Sequence, residues 1–128
     1  MKRLLLDTHV FLWWLADDPK LGTNARADIR DGRNQIYVSA ASSWEISIKK
    51  RKGKLVGLEN IDSIVDQERF VKLPISLVHG EAAGQLPDQH NDPFDRMLIA
   101  QAQTEGLTIL TADEKIQQYD AAVVIATA

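Results

Sequence analysis

The sequence predicts one α/β domain over residues 1–128, with a largely parallel central sheet of four to five strands flanked by helices on both faces. Short apolar runs, such as residues 3–6 and 107–110, alternate along the chain with longer segments of helical periodicity. Strands that are linked through helices run parallel, because each crossover returns the chain to the same end of the sheet. The chain contains no cysteine, which excludes disulfides and thiolate metal sites.

The composition is typical of a soluble globular protein, with 45% hydrophobic and 26% charged residues. The first apolar run ends at Asp7, and no run approaches the roughly 20 residues needed to span a membrane. We therefore expect a cytoplasmic protein with no membrane partner. The net charge of -3 gives no general attraction to nucleic acid, so any RNA binding must depend on a local basic patch or on bound cations.

The first acidic candidate is Asp7, which follows the predicted strand of residues 3–6 and precedes a predicted helix over Thr8–Ala16. In parallel sheets, ligands bind at the carboxyl ends of the strands, where loops and helix N-termini gather. Asp7 is therefore placed where a site would form. The alternative is that Asp7 serves only as a helix cap.

The second acidic candidate is Glu45. A helix over Thr23–Arg30, closed by Gly32, and a strand over Gln35–Ser39 precede the helix that carries it. In that helix, predicted over residues 41–52, a rotation of about 100° per residue places Trp44 and Ile48 on the apolar stripe and Glu45 at its edge. Glu45 is either an inward acid or an ordinary surface charge.

A dense basic cluster ends the same helix, at Lys49, Lys50, Arg51 and Lys52, with Lys54 just beyond. Cations at a helix C-terminus interact favourably with its dipole, so a solvated helix end is one explanation. The other is a rim that contacts RNA phosphates beside an acidic site.

The middle of the chain offers no catalytic pattern. Residues 57–70 predict a helix-rich segment with Ile61, Ile64 and Val65 on its apolar side, followed by a short strand at residues 71–74. A helix is expected over residues 76–86. We expect His79, on that helix, at the surface or at an interface.

The most informative segment begins at Asp92, which predicts an N-cap with Pro93 at the first helical position. Asp95 shares the central apolar face with Leu98 and Ala102, so this carboxylate points toward the core and needs hydrogen bonds or a cation. A capping arrangement of Asp92 and Asp95 is the simpler alternative.

The last acidic candidate is Asp113, which follows the apolar strand of residues 107–110. The alternative is that Asp113 only helps to begin a short helix that runs to Tyr119. Thr111 would be the cap of that helix, with Glu114 three residues later. A final strand is predicted over residues 123–126.

The predicted topology brings four acids to one edge of the sheet. Asp7 and Asp113 follow strands, whereas Glu45 and Asp95 lie near the first turns of helices. Four carboxylates need compensation when they are close together, and hard divalent cations such as Mg²⁺ or Mn²⁺ supply it. Such an ion activates water and stabilises charge on a phosphodiester, as nucleases require.

Four motifs in this order resemble the PIN-domain ribonucleases, specifically the VapC toxins of bacterial toxin-antitoxin pairs. The motifs occupy residues 4–10, 43–46, 92–102 and 110–113. The resemblance implies Mg²⁺- or Mn²⁺-dependent cleavage of RNA, a cognate antitoxin and a homodimer. By matching position it implies that the catalytic, metal-binding acids are Asp7, Glu45, Asp95 and Asp113, with Thr8, Asp92 and Thr111 in support. The basic cluster independently offers RNA contacts from Lys49, Lys50, Arg51 and Lys52.

Two other functions fit parts of the pattern. Residues 5–8 mimic the nucleophile loop of haloacid-dehalogenase-type phosphatases, although His9 stands where that chemistry needs a second Asp. In a non-catalytic interaction module, the acids would be helix caps and a docking site for a basic peptide.

Overall fold

The computed structural model describes residues 1–88, 91–119 and 122–128 and contains a five-stranded, all-parallel sheet. The predicted α/β class is therefore confirmed. The elements in chain order are β1 (Arg3–Leu6), α1 (Thr8–Ala16), α2 (Thr23–Arg30), β2 (Gln35–Ser39), α3 (Ala40–Arg51), α4 (Ile61–Gln67), β3 (Val71–Leu73), α5 (Leu77–Gln85), α6 (Pro93–Glu105), β4 (Thr108–Thr111), a single 3₁₀ turn (Ile116–Gln118) and β5 (Val123–Ile125).

The strand order is β3-β2-β1-β4-β5, so β1 is the central strand. Leu5 pairs in register with Tyr37 of β2 and with Ile109 of β4. The chain moves to one side of β1 through β2 and β3 and then crosses to the other side for β4 and β5. The connections that follow β1 and β4 thus diverge from adjacent strand ends, which is where open α/β sheets bind ligands.

The central strand is apolar because helices cover both of its faces. Leu4 and Leu6 pack into one core with Val10 and Phe11, whereas Leu5 faces the opposite core with α6. Successive strand side chains point to opposite faces, so this alternation follows from backbone geometry. Full burial of each leucine favours folding by about 1.5–3 kcal/mol.

The N-terminus of α6 forms as the sequence predicts. The Asp92 side chain accepts hydrogen bonds from the backbone amides of Phe94 at 2.8 Å and Asp95 at 3.3 Å, with Pro93 in the first turn. At the other end Gly106 has a φ of 68°, a left-handed conformation that glycine adopts readily.

The helix predicted over Thr23–Arg30 is confirmed as α2, with Asp31 as its C-cap and Gly32 directly after it. One other predicted helix boundary is wrong. Thr111 closes β4 and caps no α-helix, because the segment up to Tyr119 forms only the 3₁₀ turn. Within the described residues, no helix has the length and apolar character of a membrane-spanning segment.

The prediction that His79 lies at the surface or at an interface is also wrong, because its side chain is only 3% exposed in the single chain. His79 Nδ1 accepts a hydrogen bond from the Ser76 amide at 3.0 Å, and Nε2 lies 2.8 Å from Glu105 Oε2. Because Nδ1 is an acceptor, Nε2 is the nitrogen that donates to Glu105.

Buried Gln101 extends this hydrogen-bonded network across the domain. Its amide nitrogen donates to the Pro74 carbonyl at 3.2 Å and approaches His79 Nδ1 at 3.3 Å, and its amide oxygen accepts from the Ser39 hydroxyl. Since Ser39 also caps α3, the Gln101 network joins the start of α3 to α5 and α6. We define the Gln101 network as Ser39, His79, Gln101 and Glu105.

Candidate active site

The carboxylate of Asp7 is held at the junction between β1 and α1. Its Oδ1 accepts a hydrogen bond from the Val10 amide at 3.1 Å, which makes Asp7 the N-cap of α1. Its Oδ2 accepts one from the hydroxyl of Thr111, at the end of β4. Asp7 is therefore a helix cap that is also bonded to the adjacent strand.

Burial raises the pKa of Asp7, because removal from water disfavours its charged form. The hydrogen bonds from Thr111 and Val10 oppose this rise, as does the nearby His9. The hydrogen bonds hold the carboxylate in place without cancelling the cost of its burial. A cation beside it would favour the ionised form.

Thr111 joins Asp7 to Asp113. Its hydroxyl oxygen also accepts a hydrogen bond from the Asp113 amide at 3.0 Å. The Asp113 carboxylate is half-buried and accepts from the Lys115 amide at 2.9 Å. We define the Asp7 cluster as Asp7, Thr111 and Asp113.

Thr8, the residue after Asp7, makes a hydrogen bond that connects α1 to α3. The buried hydroxyls of Thr8 and Ser42 lie 2.8 Å apart, which joins the first turn of α1 to the N-terminal half of α3. Glu45 follows Ser42 by three residues and therefore lies on the same side of the helix. Ser42 is not among the site residues predicted from the sequence. Its spacing of three residues from Glu45 is the one feature of the sequence that indicates it.

Glu45 is buried, with 8% exposure, and its Oε2 lies 3.1 Å from Lys49 Nζ. The inward side of α3 thus carries Ser42 and Glu45 along with Ala41 and Ile46. Trp44 was predicted on the apolar stripe, but it is 62% exposed. The reason is that Ala41, Ser42, Glu45 and Ile46 occupy the buried side of α3, with Ser42 bonded to Thr8, so Trp44 faces outward.

A cleft of about 300 Å³ lies between α3 and α6. Glu45 and Asp92 line it together with three lysines and the ring of Phe94, and Asp95 lies half-buried in the adjoining turn of α6. The lysines are Lys49, Lys52 and Lys54.

The basic cluster divides into residues that line this cleft and residues that do not. Lys50 pairs with Glu59 at 3.4 Å and donates to the Leu58 carbonyl, away from the cleft. Arg51 is exposed and is not among the cleft residues. Lys54, which lies beyond the predicted group of Lys49 to Lys52, does line it.

The candidate acids are thus arranged in two neighbouring groups. Asp7 and Asp113 are joined through Thr111, and Glu45 lines the cleft with Asp92. Across residues 1–88, 91–119 and 122–128, no three His, Asp or Glu side chains are close enough to hold a metal ion among them. The protein side chains in this arrangement do not form a complete metal cage.

Comparison with known proteins identifies relatives over almost the whole chain. Ribonuclease VapC22 of Mycobacterium tuberculosis is 26% identical over 124 residues, which cover 93% of each protein. Ribonuclease VapC16 of the same organism is 41% identical over 71 residues, about half of each chain.

Solved structures share the fold. A toxin-antitoxin complex from Klebsiella pneumoniae contains a chain with a TM-score of 0.64 and 18% identity, and the alignment covers 96% of this chain and 97% of that one. The resemblance to VapC-type proteins is therefore confirmed. The PIN domain family model matches residues 4–122, and this chain belongs to that family.

Proposed function

We propose that this chain is a metal-dependent endoribonuclease and the toxin of a type II toxin-antitoxin system. The observation that carries the proposal is the buried Asp7 carboxylate at the junction of β1 and β4, where ligands bind in open α/β sheets. Two relatives that are named ribonucleases support the same chemistry.

The acids at this edge of the sheet suit a hard divalent cation. Mg²⁺ prefers oxygen ligands and keeps several of its waters, so one or two carboxylates with a substrate phosphate suffice to bind it. The absence of a complete protein cage in the described residues is consistent with this mode. Mg²⁺ or Mn²⁺ would be held by members of the set Asp7, Glu45, Asp95 and Asp113.

When bound, the ion lowers the pKa of a water and offsets the charge that develops on the phosphodiester. Thr111 holds Asp7 toward the site, and Asp92 fixes the first turn of α6 that carries Asp95. Lys49 forms an ion pair with Glu45, and in the proposed site it would contact a phosphate of the RNA. A water would attack phosphorus in line with the 3′-oxygen, the P–O3′ bond would break, and a proton would pass to the leaving 3′-oxygen, which gives 5′-phosphate and 3′-hydroxyl ends.

Asp7→Asn tests the proposal. We expect cleavage of RNA to fall roughly a thousandfold, because loss of the charged ligand removes several kcal/mol of transition-state stabilisation. The matched control is Asp66→Asn, an exposed carboxylate on α4 that pairs with Lys72. EDTA should abolish wild-type cleavage.

Full activity of Asp7→Asn, together with resistance to EDTA, contradicts the proposal. Release of phosphate from an aryl phosphate without RNA cleavage would indicate the haloacid-dehalogenase alternative. Membership of the PIN family removes most of the support for that alternative.

The antitoxin is expected at a groove of about 380 Å³ beside α1. Leu12, Trp13 and Leu55 line this apolar groove, and His9 lies at its edge next to the Asp7 cluster. An apolar antitoxin segment in the groove would be able to extend a basic side chain toward the acids. Complex formation with the product of a neighbouring reading frame, and its loss in Trp13→Asp, would test this.

We also propose a homodimer in the cytoplasm. Leu77 and Val78 on α5 are 89% and 60% exposed, and they offer apolar surface to a second copy. Sedimentation at high protein concentration tests self-association, and a strict monomer contradicts it.

A further inference from the structure

An aromatic pair, exposed Trp44 and half-buried Phe94, joins the N-terminal half of α3 to the first turn of α6. The rings of Trp44 and Phe94 are 5.2 Å apart, at an interplanar angle of 74°. Trp44 is 62% exposed although the neighbouring Glu45 is buried. Burial of an indole stabilises a fold more than burial of most side chains, and this stabilisation is absent where the indole is exposed. The exposed surface of Trp44 is therefore accessible to a ligand.

The aromatic pair adjoins the acidic and basic groups of the cleft. Phe94 is both the partner of Trp44 and a wall of the cleft that contains Glu45 and Asp92. Lys52 and Lys54 line the same cleft and are exposed. A chain bound there has cations for its phosphates and aromatic rings for its bases within one surface.

This combination is typical of sites for single-stranded nucleic acid. A positively charged groove follows the backbone of the strand, while successive bases stack on aromatic side chains. A base in a duplex is stacked on both faces by its neighbours, so its face is not available to Trp44. An apolar protein partner fits less well, because it would bury the exposed Lys52 and Lys54 without suitable partners.

We propose that Trp44 and Phe94 form a stacking platform for an unpaired base of RNA, next to the phosphate held by the cleft lysines. The inference rests on the proposed ribonuclease function and assigns the contact with the base to Trp44 and Phe94. The platform selects for exposed bases and tolerates different base identities, because every base has a flat π face.

The test is a binding measurement that requires no catalysis. Protein carrying Asp7→Asn is titrated, in EDTA, with a labelled unstructured RNA decamer and with an abasic ribose-phosphate decamer of the same charge. We expect Trp44→Ala, added to Asp7→Asn, to weaken binding of the RNA about tenfold and to leave binding of the abasic strand unchanged. Trp44→Phe should retain part of the affinity.

Two further variants control for position and folding. Ile75→Ala shortens an exposed apolar side chain outside the cleft and should leave both affinities unchanged. Phe94→Leu keeps an apolar side chain but removes the second ring, and should weaken only the binding of the base-bearing strand. Intrinsic fluorescence should be quenched by the RNA in the Asp7→Asn protein and much less so in its Trp44→Phe derivative.

Equal losses for the two strands, or no loss for either, overturn the platform. A switch from dimer to monomer in Trp44→Ala with unchanged RNA affinity assigns Trp44 to a contact between copies and also overturns it. If the wild type cleaves RNA but Trp44→Ala does not selectively weaken binding of the base-bearing strand, the platform fails and the proposed function stands. If Trp44→Ala selectively weakens binding of that strand but the wild type does not cleave RNA, the proposed function fails and the platform stands.

Discussion

Two buried polar groups of residues, the Asp7 cluster and the Gln101 network, differ in how their charge is compensated. Gln101, Ser39 and His79 satisfy one another with uncharged donors and acceptors, and Glu105 lies at the edge with 41% of its side chain exposed. The Asp7 cluster instead places a carboxylate in the interior, where burial raises its pKa.

The difference separates a structural role from a chemical one. A buried network whose hydrogen bonds are complete rigidifies the helices it joins. A buried carboxylate whose charge is only partly compensated destabilises the folded protein, and a bound cation would reduce this destabilisation. Removal of the hydrogen bonds in either group should therefore lower stability, whereas removal of the Asp7 charge should raise it.

The largest effect on stability is expected for Gln101→Leu. This change leaves the buried Ser39 hydroxyl without its acceptor, and it removes the amide group that contacts buried His79 Nδ1 and the Pro74 carbonyl. The free energy of unfolding should fall by about 2–4 kcal/mol, because each orphaned buried group costs roughly 1–3 kcal/mol. Urea unfolding at pH 7 measures the change.

The control for this change is Thr104→Ala, an exposed position on the same helix, which should alter stability by no more than about 0.5 kcal/mol. Equal stabilities of Gln101→Leu and the wild type would show that the network does not support the fold.

A smaller effect is expected for Thr111→Val. Valine preserves the shape of the side chain but removes the hydroxyl that donates to Asp7 and accepts from the Asp113 amide. Stability should fall by about 1–3 kcal/mol. The pKa of Asp7 should rise further, since a hydrogen bond that lowers it is lost.

Thr111→Ser is the matched variant, because it keeps the hydroxyl and loses only a methyl group. If Thr111→Val and Thr111→Ser have the same free energy of unfolding, well below that of the wild type, the loss of stability is due to packing and not to the hydrogen bonds.

The smallest effect, and one of opposite sign, is expected for Asp7→Asn in the metal-free protein. Asparagine still caps α1, but it removes the buried charge. The pKa of Asp7 is higher in the folded than in the unfolded protein. The contribution of protonated Asp7 to the free energy of unfolding is therefore complete below its unfolded-state pKa of about 3.9, and it is lost as pH rises through the folded-state pKa.

Asp7→Asn should therefore be more stable than the wild type near neutral pH, and this advantage should shrink toward pH ~4. Melting temperatures of both proteins in EDTA across this range provide the measurement. A wild type that is the more stable of the two at pH 7 would mean that the protein itself already compensates the Asp7 charge.

Local chemistry along the chain was sufficient to predict the elements and the identity of the candidate acids. The apolar run of β1 and the cap of α6 at Asp92 depend on neighbouring residues, so they are visible in the sequence. The order of the four motifs made the family resemblance specific before any distance was known.

Only the tertiary structure decided which way several side chains face. Helical periodicity placed Trp44 inside and left Glu45 at the edge, but the Thr8 hydroxyl, packed against Ser42, selects a different side of α3. His79 is buried because Gln101 and Glu105 on α6 accommodate it. Thr111 bonds to Asp7, 104 positions away in the chain. A periodic pattern registers only the residues of its own helix, whereas burial of a polar group depends on partners that folding brings from elsewhere.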